Sequence, residues 1–326
     1  MQGKDTFPDA PFFRDIADGP GTGRAIWVHA EDGVRLRLGY WPLEGAKGTV
    51  LIMPGRTEYV EKYGRVAREL AARGYAAVAL DWRGQGLADR LGRVPSVGHV
   101  GRFQDFQKDW AAFMGALDAL ACPELPKPKA FVAHSMGGGI AMRTLLDGAA
   151  QAAGFRAVAF TGPMWDIELT KPMRLFARIV AGCGSAIGLG KLFVPGGSGE
   201  TYVKEADFED NTLTRDEDMW NYMRGQLVTE PELALSGPSL RWLSDALAEG
   251  RAFAASPPPE LPGLVFLGTH ERIVSSDAIR AMTQRWSSCE LRMIEDGEHE
   301  IMMHGPEVRR AVFDDMIAFF EKNGAV

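Results

Sequence analysis

A serine hydroxyl attacks a carbonyl carbon only when a base removes its proton and a third group orients that base. The chain holds residues for all three roles. Ser135 stands in the middle of FVAHSMGGGI, Phe131 to Ile140. An apolar run precedes it and glycines follow it. This is the pattern of a serine on a sharp strand-to-helix turn, Gly-x-Ser-x-Gly, with Ala133 in place of the first glycine. The plainer reading makes Ser135 a helix N-cap. The base is expected just after the last strand, where EDGEHEIMMHGPE supplies His299 and then His304. His299 comes first after the strand-ending EDG and is preferred; His304 reads as a surface or capping histidine. His134 adjoins the serine but is expected to point its side chain away from it, and the isolated His29 and His99 read as structural.

The orienting acid is expected at the end of the preceding strand, where GTHERIV places Glu271. Asp277 and Asp296 are alternatives, although Asp277 also suits the first turn of a helix. The oxyanion that forms during attack needs preorganised donors. One is the backbone N–H of Met136, directly after the serine. The other is the N–H of Arg56, in the loop MPGRTEYVEKYG, where Gly55 permits a tight turn. The Arg56 side chain reads equally as a substrate clamp or as a plain surface arginine.

These residues have to be positioned by the elements around them. RAIWVHA and VRLRLGYW flank an Asp-Gly turn and predict an antiparallel hairpin. GTVLIM, YAAVALD, KAFVAHS, FRAVAFT, LPGLVFLG and CELRMIED follow as strands, most of them separated by amphipathic helices. The alternation predicts a mostly parallel eight-stranded sheet with helices on both faces. Active sites of such sheets lie at the C-terminal strand ends, where Ser135 falls. From Trp165 to Pro259 the alternation stops. A structureless loop of that length is implausible, so residues 165–259 are expected to form a helical cap after the sixth strand, with 1–164 and 260–326 as the core.

The 326 residues carry a formal net charge of -7, which disfavours a polyanionic partner such as nucleic acid. Hydrophobic residues at 46% and charged residues at 24% fit an ordinary globular enzyme. Cys122, Cys183 and Cys289 are widely spaced, with no metal-binding pattern, and suggest reduced thiols in a cytoplasmic setting. The N-terminal stretch MQGKDTFPDAPFFRDIADGPG lacks the apolar core of a signal peptide. No apolar run is long enough to span a bilayer.

Several segments resemble the monoglyceride lipase and lysophospholipase group of α/β-hydrolases. They are Pro54-Gly55-Arg56-Thr57-Glu58, KYGRVARELAARGYAAVALDWRGQG, NTLTRD, GPSLRWL, LGTHERIV and GEHEIMMHGPEVRRAV, and the similarity covers most of the chain after Ile26. The departures are Pro54 for a histidine, Gln85 for a histidine, Ala88 for a serine, Ala133 for a glycine and Glu271 for an aspartate. The resemblance implies an α/β-hydrolase fold and a cofactor-independent esterase that passes through an acyl-enzyme, acting on a lysophospholipid or a monoacylglycerol. It leaves two other expectations open. One is an aminopeptidase that holds a free amine on acidic residues of EADFED and TRDED. The other is a degenerate hydrolase that only binds. The amphipathic MRLFARIV, with Phe176 and Ile179, is expected to line an acyl channel, to touch membrane, or simply to pack on its own domain.

Overall fold

The computed structural model describes residues 7–186, 188–195 and 199–326. Among these, nine strands form one sheet: β1 (Asp9–Ala10), β2 (Arg24–His29), β3 (Arg35–Trp41), β4 (Gly48–Met53), β5 (Tyr75–Asp81), β6 (Ala130–His134), β7 (Ala157–Thr161), β8 (Gly263–Gly268) and β9 (Cys289–Ile294). The helices up to β7 are α1 (Arg14–Ala17), α2 (Gly64–Ala72), α3 (Phe106–Leu120), α4 (Met136–Leu146) and α5 (Ala149–Ala152). Those after it are α6 (Lys171–Ala186), α7 (Tyr202–Glu205), α8 (Glu217–Thr229), α9 (Leu240–Ala255), α10 (Ser276–Arg285) and α11 (Pro306–Lys322).

The strand order is β1-β2-β3-β5-β4-β6-β7-β8-β9. The first three strands and the β3–β5 pairing are antiparallel; every pairing from β5 through β4 to β9 is parallel. The expected count of eight strands is corrected to nine. The addition is β1, two residues paired at Asp9↔Ile26 and Ala10↔Ala25, too short to leave an alternating pattern in the sequence.

The sheet core is dry on both faces. Every residue of β4, β5, β6, β7 and β8 is buried, which explains their continuous apolar runs. Phe106, Trp110, Phe113 and Leu117 of α3 pack on one face with α4 and α10. Val66 and Leu70 of α2 pack on the other, with Val312, Phe313, Met316 and Phe320 of α11. Burial on this scale, at about 25 cal/mol per Å² of apolar surface, holds the strand ends still enough to carry a site.

Helices α6 to α9 all lie between β7 and β8. α9 sends Trp242, Ala246 and Phe253 into the cluster on the α3 face, whereas α8 sends Met219, Trp220 and Met223 into that on the α11 face. The segment is thus anchored to both layers. Ser239 Oγ caps α9 through Trp242 N at 3.2 Å, and Asp216 Oδ1 caps α8 through Met219 N at 2.8 Å. Among the described residues no helix is long and apolar enough to cross a membrane. Cys122 and Cys289 are free thiols; the side chain of Cys183 and residues 1–6 lie outside the described residues.

Candidate active site

Ser135 occupies the single residue between β6 and α4, with φ 50° and ψ −118°. A side chain with positive φ is strained and persists only where its surroundings leave no alternative. Here the surroundings are tight. Ser135 O accepts from Gly138 N at 2.9 Å and Met164 N at 2.8 Å, and Ser135 N donates to Thr161 O at 3.2 Å. A Cβ on Gly137 would collide with the carbonyl oxygens of Met53 and Pro54, so only glycine lets α4 approach β4 this closely. Ser135 holds the N-cap position, yet its side chain makes no capping hydrogen bond. The hydroxyl is left for other work. Ala133 is wholly buried, in register with Met53 of β4 and Phe160 of β7.

His299 and Glu271 meet at the ends of the neighbouring strands. His299 Nδ1 lies 2.7 Å from Glu271 Oε2, and both side chains are almost completely buried. The carboxylate accepts there, so Nδ1 carries the proton and Nε2 is the free acceptor. Glu271 Oε1 accepts from Ile273 N at 2.7 Å and Val274 N at 3.1 Å. Burial pushes the Glu271 carboxyl up, but His299 and these two N–H groups outweigh it and hold it below the usual carboxylate range. His299 and Ser135 line one cavity of about 340 Å³. Among the described residues neither Ser135 Oγ nor His299 Nε2 is hydrogen-bonded.

The alternative acids are elsewhere. Asp277 is exposed in the first turn of α10, and Asp296 pairs with Arg215 at 3.2 Å. His304 accepts from Gly305 N at 2.9 Å, next to the start of α11. His29 is an exposed strand end; His99 is buried, 2.9 Å from Ser239 Oγ. Phe176 and Ile179 are 62% and 55% exposed and lie outside the cavity wall. The apolar wall is made instead by Val203, Leu213, Met223, Leu227 and Ile273.

Arg56 follows β4, and neither its N–H nor that of Met136 has a protein acceptor among the described residues. Its guanidinium donates to Ser236 O at 2.6 Å and lies over the Trp242 ring. Burial lowers its pKa to about 10. This side chain ties the loop to the segment between β7 and β8 and Arg56 also lines the cavity, so the plain surface reading does not describe it.

Behind His299 lies a buried ion cluster that the sequence pattern does not reveal. Lys62 Nζ bridges Glu58 Oε1 and Glu300 Oε1, and Tyr63 donates its hydroxyl proton to Glu58 Oε2. His134 is expected to point its side chain away from Ser135, and no contact between the two side chains is found among the described residues. His134 lines the same cavity and packs its ring on His299 with centroids 4.8 Å apart. Its Nδ1 lies 2.9 Å from Thr161 O, and its Nε2 lies 3.5 Å from Glu58 and 3.4 Å from Glu300. Burial lowers the His134 pKa, but the two carboxylates raise it further and the net direction is up. Burial likewise raises Glu300, while Lys62 and His134 pull it well below its ordinary value. The donor atoms of Glu58, His134 and Glu300 lie within 4.8 Å of one another, a spacing that suits a metal ion. The Lys62 ammonium already bridges the two carboxylates, which makes the grouping an ion cluster. The i,i+4 spacing of Glu58 and Lys62 was a signal in the sequence; their partner 238 residues away was not.

NTLTRD, Asn211 to Asp216, braces the histidine loop. His299 N donates to Thr212 O at 3.3 Å and Glu300 N to Leu213 O at 2.8 Å. Asn211 Oδ1 accepts from Leu213 N and Thr214 N, and Thr214 Oγ1 donates to Met303 O at 2.7 Å.

The model of the Hydrolase_4 family, described as "Serine aminopeptidase, S33", matches residues 44–305. Lysophospholipase L2 of Escherichia coli strain K12 is 27% identical over 300 residues, covering 85% of this chain and 81% of that protein. The probable lysophospholipase L2 of Haemophilus influenzae is 25% identical over 279 residues, covering 85% of each. Among solved structures, a soluble variant of monoglyceride lipase from Saccharomyces cerevisiae, in complex with a substrate analog, has a TM-score of 0.69 at 20% identity. The match covers 91% of this chain and 94% of that one.

Proposed function

The chain belongs to the Hydrolase_4 family, serine aminopeptidase S33, and on that premise we propose that it is a serine carboxylic-ester hydrolase acting on lysophospholipid or monoacylglycerol-type esters. The observation that carries this reading is the Glu271–His299 pair opening on the same cavity as a strained, uncapped Ser135. Ser135 Oγ attacks the ester carbonyl while its proton passes to His299 Nε2. Glu271 keeps Nδ1 protonated and stabilises the imidazolium. The N–H groups of Met136 and Arg56 receive the oxyanion. As the tetrahedral intermediate collapses, His299 returns the proton to the departing alcohol, leaving an acyl group on Ser135. Water, deprotonated by His299, attacks the acyl-enzyme; the carboxylic acid leaves and Ser135 regains its proton.

The names of the relatives support a lipid ester as substrate. The acyl chain then lies along Val203, Leu213, Met223, Leu227 and Ile273. In this reading residues 165–259 are a cap on a core of 1–164 and 260–326. The exposed Met173, Leu175, Phe176 and Ile179 of α6 touch the lipid surface from which substrate is drawn. A cytoplasmic setting is consistent with the free Cys122 and Cys289. Ser135→Ala tests the mechanism: kcat should fall by about 10⁶-fold, the scale for removing a serine nucleophile. Ordinary turnover in that variant would overturn it. A screen of esters of graded acyl length, with lysophospholipids and monoacylglycerols, tests the substrate; activity confined to short chains would exclude lipid.

The family's description favours a second reading, an aminopeptidase with the same nucleophile. It needs carboxylates for a free amine. Glu58 and Glu300 face the cavity but already hold Lys62, and Glu209 and Asp210 line a separate charged pocket with Arg215 and Arg272. Preference for aminoacyl-arylamides over acyl esters would establish it. A folded protein that a fluorophosphonate probe fails to label at Ser135 would indicate a binding protein instead.

A further inference from the structure

We infer that Gln85 is a positioning residue that sets the oxyanion-binding loop in its working conformation. The inference rests on the proposed role of the Arg56 N–H. That N–H lies in the Gly55–Arg56 peptide plane and points usefully only if this plane and the Arg56–Thr57 plane beyond it are held. Gln85 holds both. Its Nε2 donates to Gly55 O at 3.0 Å and its Oε1 accepts from Thr57 N at 2.7 Å. One carboxamide therefore spans Arg56, engaging the residue before it and the residue after it.

The loop has reason to need such a hold. Thr57 has φ 67°, a conformation that a β-branched residue avoids unless its surroundings impose it. Gln85 is 3% exposed, so its two bonds are not shared with bulk water. Its own backbone is fixed, with Gln85 N donating to Trp82 O at 3.0 Å and Ala88 N to Gln85 O at 3.0 Å. Trp82 Nε1 adds a bond to Pro54 O at 3.0 Å. Arg56, Gln85 and Met136 also line one small cleft.

The side-chain chemistry explains a departure from the family pattern. A neutral histidine, the residue the resemblance places here, also offers one donor and one acceptor, but it titrates. A carboxamide keeps both functions at every working pH. A glutamine can therefore supply the donor and the acceptor that a histidine would.

The test compares Gln85→Leu and Gln85→Glu with the wild-type protein on one ester substrate. In Gln85→Leu both bonds are lost. We expect kcat to fall by about 100-fold, the scale for a misplaced reacting group, with KM little changed. A trifluoromethyl ketone transition-state analogue should weaken by the same factor. In Gln85→Glu the ionised carboxylate accepts from Thr57 N but repels Gly55 O, so its activity relative to wild type should rise as pH is lowered and the carboxyl becomes a donor. A merely structural role would not couple relative activity to that proton. A folded Gln85→Leu whose kcat stays within about threefold of wild type would overturn the inference, since one working oxyanion donor is worth about 10²-fold or more. If Gln85→Leu fails to fold, a flat relative pH profile in Gln85→Glu overturns it instead. Ordinary turnover in Ser135→Ala would sink the proposed function as a whole. An inactive Ser135→Ala beside a normal Gln85→Leu sinks this inference alone.

Discussion

The serine turn and the histidine loop sit side by side but are held by different physics. The turn is a matter of sterics: a strained serine and its glycines packed against the end of β4. Strand β6, the strained Ser135 and the glycines that follow leave the chain no other route past Met53 and Pro54. The histidine loop is held by polar contacts from distant elements: Glu271 just after β8, Lys62 in the turn between β4 and α2, and Thr212 and Leu213 of the segment between β7 and β8. The first is hard to perturb except by volume. The second depends on charges being present and paired. The difference teaches that the two halves of one site can fail in separate ways.

The largest separation between them should come from Glu271→Gln. Shape is preserved, but the histidine tautomer is no longer imposed, and kcat should drop by roughly 10⁴-fold. Chemical denaturation should show little loss of stability. A drop of less than about tenfold would place the orienting acid elsewhere. Lys62→Met should act on stability first. It leaves two buried carboxylates without their ammonium, at a cost of about 3–5 kcal/mol. An unchanged denaturation midpoint would mean that the cluster is not what holds the histidine loop.

The turn should respond to volume alone. Ala133→Val overpacks a position that is 0% exposed, for about 1–3 kcal/mol and a loss of activity, whereas Ala133→Gly should be mild. Wild-type behaviour in Ala133→Val would show the strand side of the turn to be looser than its packing indicates. The smallest effect concerns pH. His134 has its pKa raised from 6.5 in the folded protein. Its contribution to stability is therefore complete below pH 6.5 and fades as pH rises through the folded value. Glu300 has the opposite sign: held well below 4.5, it stabilises above that pH and the contribution is lost on acidification. The melting-temperature difference between wild type and His134→Gln should thus be widest in weak acid and narrow toward alkaline pH. A difference that is flat across that range would show His134 to be neutral in the fold.

The fold was legible because buried parallel strands write continuous apolar runs and their helices write a 3.6-residue stripe. β1 was not, since two residues carry no period. Ser135, Glu271 and His299 were legible because each follows a strand, and strand ends of a parallel sheet converge. The amphipathic stripe that holds Phe176 and Ile179 leaves open whether they line a channel, touch membrane or pack on the domain, because an apolar stripe does not say which surface it will meet. The structure turns theirs to solvent and builds the cavity wall from other residues of the same segment, with Ile273.

By itself, then, the chain determined which residues stand at turns, because backbone sterics and periodicity act over a few neighbours. Only the tertiary structure decided that Gln85 spans Arg56, that Lys62 reaches Glu300, and that His134 lies against His299. Those contacts depend on where side chains separated by tens to hundreds of positions come to rest. No local preference encodes that meeting; the closing of the sheet and the packing of its helices bring it about.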